Sequence, residues 1–182
     1  DVPGFLITRA IMAYWSETVD ALAEGISPVA IDSALEARGW PMGACRLIDG
    51  TSISSIVAIA GVLRSVLGER ASAFDRLSPL LAAGYAGFTA GAGLYLHSRG
   101  SRAPNDDALS LLRSGNAKRE APDDIADRVM GALVREVDRC IDEGVVDSWE
   151  DAALGIDLAY GFPGGLLAYA AGIASPETTT RR

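Results

Sequence analysis

The sequence predicts an all-α fold made from two copies of one helical unit, and three observations carry that prediction. Apolar residues recur at helical spacing along most of the chain, strand patterning is nearly absent, and the order of marker residues repeats. Arg9, Glu17, Glu24-Gly25 and Asp32 lead to Gly39-Trp40-Pro41-Met42-Gly43. Arg128, Glu136, Glu143-Gly144 and Asp151 follow at unchanged intervals and lead, after a few extra residues, to Gly161-Phe162-Pro163-Gly164-Gly165. A unit repeated in this way does not usually cover its apolar face alone, so the copies are expected to pack on each other as a pseudo-dimer. The first copy is assigned to residues 1–114, a linker to 115–121 and a second, shorter copy to 122–182.

Residues 5–24 read as a long amphipathic helix, with Leu6, Ala10, Ala13, Tyr14, Val19, Leu22 and Ala23 on one stripe and Gly25 as its stop. Ser27-Pro28 is an N-cap with proline in the first turn, opening a shorter helix that Gly39 and Pro41 end. The stretch from Thr51 to Leu67 is apolar on most faces and is expected to be buried. Ser78-Pro79 opens another short helix, which the glycine-rich run at 84–93 breaks into a loop. Leu94-Tyr95-Leu96 is the single short strand candidate, and residues 98–105 read as a polar surface crossing. The second copy starts at Pro122-Asp123-Asp124, where acids suit a helix N-terminus. Its stripe runs through Ile125, Val129, Ala132, Leu133, Val137, Cys140 and Ile141, and Ser148-Trp149-Glu150-Asp151 is a capping-box pattern for the next helix. The polar tail at 175–182 is expected to fray.

Composition excludes several functions. Hydrophobic residues make up 49% and charged residues 22%, a globular balance, and the net charge of -8 repels phosphate backbones, so nucleic acid is not expected as a partner. The most apolar stretches are about eight residues long, short of the 18 or so a bilayer requires, so no membrane span is expected and a cytoplasmic location is the default. Cys45 and Cys140 have no metal-ligand spacing around them and read as small buried hydrophobes. Gly91-Ala92-Gly93 lacks the third glycine and the following helix that a dinucleotide-binding turn requires. The single histidine, His97, has no carboxylate close to it in sequence and reads as a solvated surface residue. Glu17, Asp32, Glu136 and Asp151 recur in register, as residues serving shared architecture do, through capping or pairing with Arg9 and Arg128. The Gly-aromatic-Pro-x-Gly turns either simply stop and start helices or place an aromatic and Met42 along an apolar groove. On this reading the chain lacks the parts of an independent enzyme.

Asp1-Val2-Pro3-Gly4-Phe5-Leu6-Ile7-Thr8-Arg9, Glu17, Glu24-Gly25, Ile31-Asp32 and Pro41-Met42-Gly43 resemble the opening of the C-terminal helical domain of 3-hydroxyacyl-CoA dehydrogenases. The segment from Gly84 to Tyr95 resembles that family's later glycine-rich element, with Leu94 where Phe is usual. Gly161-Phe162-Pro163-Gly164-Gly165 is similar to the second helical copy of the multifunctional fatty-acid oxidation α-subunits.

The resemblance implies an all-α fold of the 6-phosphogluconate dehydrogenase C-terminal type. It implies a role in β-oxidation with 3-hydroxyacyl-CoA as substrate, an upstream Rossmann domain that binds NAD and supplies the catalytic His–Glu pair, and a homodimer or a thiolase-type partner subunit. No catalytic residue, metal or cofactor is then expected from this chain alone, which looks like the C-terminal part of a longer polypeptide. Thr8 stands where the family has asparagine near the reacting end of the substrate, and Pro41 and Met42 would line the acyl groove. Ala44, Ser52, Ser54 and Phe88-Thr89 also depart from the family pattern, standing in turn for Pro, Gly, Asp and a basic residue. The alternative expectations are a non-catalytic helical assembly or dimerisation module and a repeat that is purely architectural.

Overall fold

The computed structural model describes residues 5–98, 101–115, 118–161 and 165–173. Helix α1 (Leu6–Ala23) buries Ala10, Tyr14, Val19 and Leu22, and Gly25 ends it at φ 87°. Helix α2 (Pro28–Ala37) opens as the sequence predicts: Ser27 accepts the Ala30 N–H through its hydroxyl, and Pro28 occupies the first turn, where a missing N–H is harmless. After the Pro-Met-Gly turn come helix α3 (Ala44–Thr51) and helix α4 (Ile53–Leu67); the helical run Ile53–Ala82 that α4 opens is bent by 89° from α3. Ser52 makes that bend with φ 81° and ψ 125°, a conformation that suits glycine far better than a residue with a Cβ.

Helix α4 departs from the expected all-round burial. Ile53, Ile56, Ala60, Leu63 and Leu67 face inward, whereas Val62 is 77% exposed, so the helix covers the core with one stripe only. A 3-10 segment (Gly68–Leu77) and helix α5 (Ser78–Ala82) follow. The glycine-rich run is a loop with one 3-10 turn (Phe88–Ala90).

The expected polar crossing at 98–105 is instead half of a hairpin. Strand β1 (Tyr95–Ser98) pairs antiparallel with strand β2 (Ser101–Pro104), setting Tyr95 opposite Pro104 and His97 opposite Arg102. This two-stranded piece is held by tertiary contacts rather than by strand propensity, which is why its sequence does not announce it. Helix α6 (Asp106–Leu112) is capped by Asn105, whose side chain accepts the Ala108 N–H and donates to the Gly93 carbonyl.

Helix α7 (Pro122–Asp142) is the longest element and lies along α1. The segment before it is tied to the end of α1: Ser114 N–H donates to the Ala23 carbonyl and Lys118 N–H to the Glu24 carbonyl. Helix α8 (Trp149–Tyr160) starts at Ser148, which accepts the Asp151 N–H and donates its hydroxyl proton to the Asp151 carboxylate. Helix α9 (Leu166–Ile173) completes the described chain.

The two marker arginines trade partners between α1 and α7. Arg9 Nε donates to Glu136 Oε1 at 2.8 Å, and its Nη1 lies 2.5 Å from Glu143. Arg128 Nε donates to Glu17 Oε1 at 2.5 Å, and its two terminal nitrogens donate to the Glu24 carboxylate at 2.8 Å each. Each arginine therefore engages the first and second marker glutamates of the opposite helix, and the residues that repeat in the sequence are the ones that meet across this seam.

Trp40 sits beside the seam, 4% exposed, with its ring 4.8 Å from Tyr14 and 6.1 Å from Tyr160 and its Nε1–H directed at Met130 Sδ. The aromatic of the first Gly-aromatic-Pro turn thus belongs to the core and not to a groove. Phe162, Pro163 and Gly164 of the corresponding second turn, the opening residues 1–4 and the tail lie outside the described residues.

The structure also shifts one pairing of the repeat. Asp151 stands in the exposed first turn of α8, whereas Asp32 is buried midway along α2 and accepts the Cys45 N–H at the start of α3. The carboxylate that performs the matching task in the second half is Asp157, which accepts the Leu166 N–H at the start of α9. The intervals up to Glu143-Gly144 reflect helix geometry, and the turn that follows is free to differ in length.

Candidate functional site

Two buried aspartates build the site. Asp32 accepts the Cys45 N–H at 2.7 Å through one oxygen and the Tyr95 hydroxyl proton at 2.7 Å through the other, so it both caps α3 and ties it to β1. Gly43 fits against it because a Cβ there would lie 2.3 Å from Asp32 Cβ. The glycine of the Pro41-Met42-Gly43 turn is thus required by close approach.

Asp49, on α3, is buried and receives three donors: Leu94 N–H at 2.8 Å, Tyr95 N–H at 3.0 Å and His97 Nε2 at 2.7 Å. A carboxylate accepts, so His97 carries its proton on Nε2 and leaves Nδ1 for other contacts. Burial raises the pKa of both Asp32 and Asp49 above the ordinary carboxylate range, and their donors work against that shift. Gly93 lets the chain pass close to Asp49, since a Cβ there would lie 2.2 Å from Oδ1.

His97 is therefore not a solvated surface residue. Its carboxylate partner is 48 residues away in sequence, and only the folding of the hairpin onto α3 joins them. The signal available in the sequence was Asp49 itself, an acid on the apolar face of α3 beside Cys45 and Ile48, which requires buried donors.

Between the α2–α3 turn, α3 and the hairpin lies a cleft of about 650 Å³, lined by Met42, Arg46, Gly50, Phe88, His97, Ser98, Ser101 and Arg102. That volume lies within the range of small-molecule sites. The Phe88 and His97 rings meet edge to face at 5.2 Å. Arg46 is committed to Glu36 and lies 3.7 Å from Asp32, whereas the Arg102 guanidinium lies 5.3 Å from the centre of the Tyr95 ring. A smaller hollow of about 230 Å³ continues past Arg46 and Arg102 to Asp32 and Glu36.

Of the three substrate residues expected from the sequence, Met42 lines this cleft. Pro41, beside it, is exposed on the turn, and Thr8 is half-buried in the first turn of α1; neither lines the cleft. The positions that sequence reasoning did not select, Arg46, His97 and Arg102, provide its polar groups.

The glycine-rich turn does not fit NAD. Gly91-Ala92-Gly93 leads into a strand, and its amides are already used: Gly91 N–H on the Phe88 carbonyl, Gly93 N–H on the Tyr95 carbonyl and Leu94 N–H on Asp49. A pyrophosphate cradle needs those amides free at a helix N-terminus. Cys45 and Cys140 are both buried and unpaired with each other, and burial raises both thiols, Cys140 to about 11, so neither is poised as a nucleophile.

Comparison with known proteins agrees with the order of motifs. The chain is 32% identical to the fatty acid oxidation complex subunit alpha of Colwellia psychrerythraea over 93% of its own length. It is 30% identical to the subunit of the same name from Shewanella amazonensis over 90% of its length. It spans about a quarter of the length of these relatives, 25% and 24% respectively. The sequence profile of the 3-hydroxyacyl-CoA dehydrogenase C-terminal domain matches residues 4–97, more than half of the chain and the segment that contains α3, both aspartate clasps and His97. The chain belongs to the family of the 3-hydroxyacyl-CoA dehydrogenase C-terminal domain.

Proposed function

We propose that this chain is the substrate-closing and assembly half of an NAD-dependent 3-hydroxyacyl-CoA dehydrogenase of fatty-acid β-oxidation. The observation that carries the reading is that the segment matched by the family supplies most of the cleft wall, Met42, Arg46, Gly50, Phe88 and His97, with the rest of the hairpin completing it. In this reading residues 1–114 and 122–182 are two copies of the family's helical unit packed as a pseudo-dimer and joined by 115–121. NAD and the catalytic His–Glu pair belong to a Rossmann domain outside these residues. Met42 borders the acyl chain within the cleft; the roles of Thr8 at the thioester end and of Pro41 beside the chain are proposed on the family resemblance, since neither lines the cleft. The work of this half is to hold and orient: the Asp32 and Asp49 clasps fix the turn and hairpin rigidly, so that ligand binding need not order them first.

The test is to join the 182 residues to the NAD-binding part of a relative and follow NADH formation from 3-hydroxyacyl-CoA. Turnover by the joined protein and none by the chain alone is the expected result; NADH production by the chain alone sinks the reading. A second reading, a non-catalytic assembly module that docks a partner such as a thiolase subunit, is favoured by Thr8 in place of asparagine, since one hydroxyl replaces a carboxamide's separate donor and acceptor. In the joined protein, a large gain in turnover on Thr8→Asn points to a substrate site in this half, and an inactive protein that still binds a thiolase subunit points to the assembly module.

A further inference from the structure

We infer that the cleft selects an acyl chain that ends in a second carboxylate, in preference to a plain alkyl tail. This inference rests on the acyl-groove reading above and goes beyond it to the class of substrate. The cleft residues include two arginines, one histidine and two serines and no carboxylate, in a chain whose net charge is -8. Met42 and Phe88 offer the apolar contact that a methylene chain needs.

The cations are not equivalent. Arg46 already has Glu36 and Asp32 as counter-charges. Arg102 has no ion-pair partner among the described residues; its guanidinium lies over the face of Tyr95. In the hairpin register Arg102 stands directly opposite His97, so both project from the same face of the ribbon into the cleft. Ser98 and Ser101, the next pair in the register, are hydrogen-bonded to each other at 2.5 Å, so Arg102 is the principal donor at this end of the cleft.

An alkyl tail in this space would strip water from a guanidinium and return nothing to it. A terminal carboxylate would accept from Arg102 in the forked geometry that guanidinium and carboxylate share. The same chemistry could in principle receive a phosphate of the CoA nucleotide, so the test must separate the two sources.

The experiment uses the 182-residue chain and NMR titration, reading the amides of Met42, Phe88 and His97 and the Arg102 side-chain Nε–H. The probes are the N-acetylcysteamine monothioester of hexanedioate, the matching hexanoyl thioester and 3′,5′-ADP. The expected result is that the hexanedioate thioester shifts the Arg102 Nε–H and binds at least about 10-fold tighter than the hexanoyl thioester, as one charge-assisted hydrogen bond provides. Arg102→Gln should abolish that preference, bringing hexanedioate binding down to the level of hexanoyl binding by the same variant; Arg102 is exposed, so the variant is expected to fold, which its thermal unfolding checks. Equal or tighter hexanoyl binding at Met42 and Phe88 overturns the inference and leaves the groove reading standing. Shifts from 3′,5′-ADP alone assign the cations to a nucleotide and overturn it too. Failure of all three probes to move these resonances overturns both the inference and the acyl-groove reading.

Discussion

The two ends of the α1–α7 seam use the same residues in the same order and are not worth the same. At one end Arg9 and Glu136 are 1% and 0% exposed, and Arg70 and Arg139 also reach the Glu136 carboxylate. At the other, Arg128, Glu17 and Glu24 are 21%, 23% and 35% exposed. A repeated motif specifies who meets whom. What the meeting contributes depends on the water around it, because an exposed pair trades solvent for partner almost evenly while a buried charge has no alternative partner. The asymmetry comes from the first half, whose 3-10 segment brings Arg70 to Glu136 at the Arg9 end.

Matched substitutions break or confirm the comparison directly. Glu136→Ala should cost about 3–5 kcal/mol in urea unfolding, because it leaves the buried Arg9 guanidinium with Glu143 alone. Glu17→Ala, its partner position in the repeat, should cost about 1 kcal/mol or less and lose even that in high salt. Equal costs at the two ends would refute the argument from burial.

The next effect in size comes from the clasp, where a buried carboxylate is held by N–H groups instead of guanidinium. Asp49→Ala should cost about 2–4 kcal/mol, since two backbone amides and His97 lose their acceptor. It should also free the hairpin, seen as faster amide exchange at Leu94 and Tyr95, while amides of the seam stay protected.

Acid titration separates the two settings by sign. Glu24 is held down to about 2 by its hydrogen bonds to Arg128, so its contribution is present above the ordinary glutamate pKa and is lost as pH falls toward 2. Glu143 is lowered in the same direction by Arg9. Asp32 and Asp49 are raised by burial, so their contribution is fully present below the ordinary aspartate pKa and is lost as pH rises through the raised value. Glu24→Gln should therefore flatten the acid limb of the stability profile, and a profile unchanged by it would remove Glu24 from the account. The smallest change lies outside the seam: Ser52→Gly should stabilise by about 0.5–1 kcal/mol, by relieving a positive φ.

What the sequence allowed one to read follows from how local each cause is. Helix starts at Ser27 and Ser148 and the stop at Gly25 rest on groups within four residues of each other, and all are found where expected. The repeat identified Arg9, Arg128 and their glutamates as architectural, but not that they would exchange across the seam, because helix spacing alone is compatible with pairing inside α1 or inside α7. The hairpin and the His97–Asp49 contact were illegible for a related reason: their stabilising partner lies on α3, and the strands carry few β-branched residues. The solvent-facing side of α4 combines the small residues Ser54, Ser55, Ala58 and Gly61 with Val62, a face whose apolar content reads as buried in the sequence alone. Thr8, Pro41 and Met42 came from the resemblance, and of these Met42 alone lines the cleft.

The seam also sets a timetable for synthesis. At roughly 5–20 residues per second, the 127 residues between Arg9 and Glu136 take on the order of 6–25 s to translate. For most of that interval α1 is outside the ribosome with an apolar stripe and a guanidinium whose counter-charge does not yet exist. Its final burial must wait for α7, so the nascent chain carries an open, adhesive helix for seconds. A circular permutant whose chain begins just before α7, so that α7 is made ahead of α1, should shorten that exposure and reduce aggregation during expression.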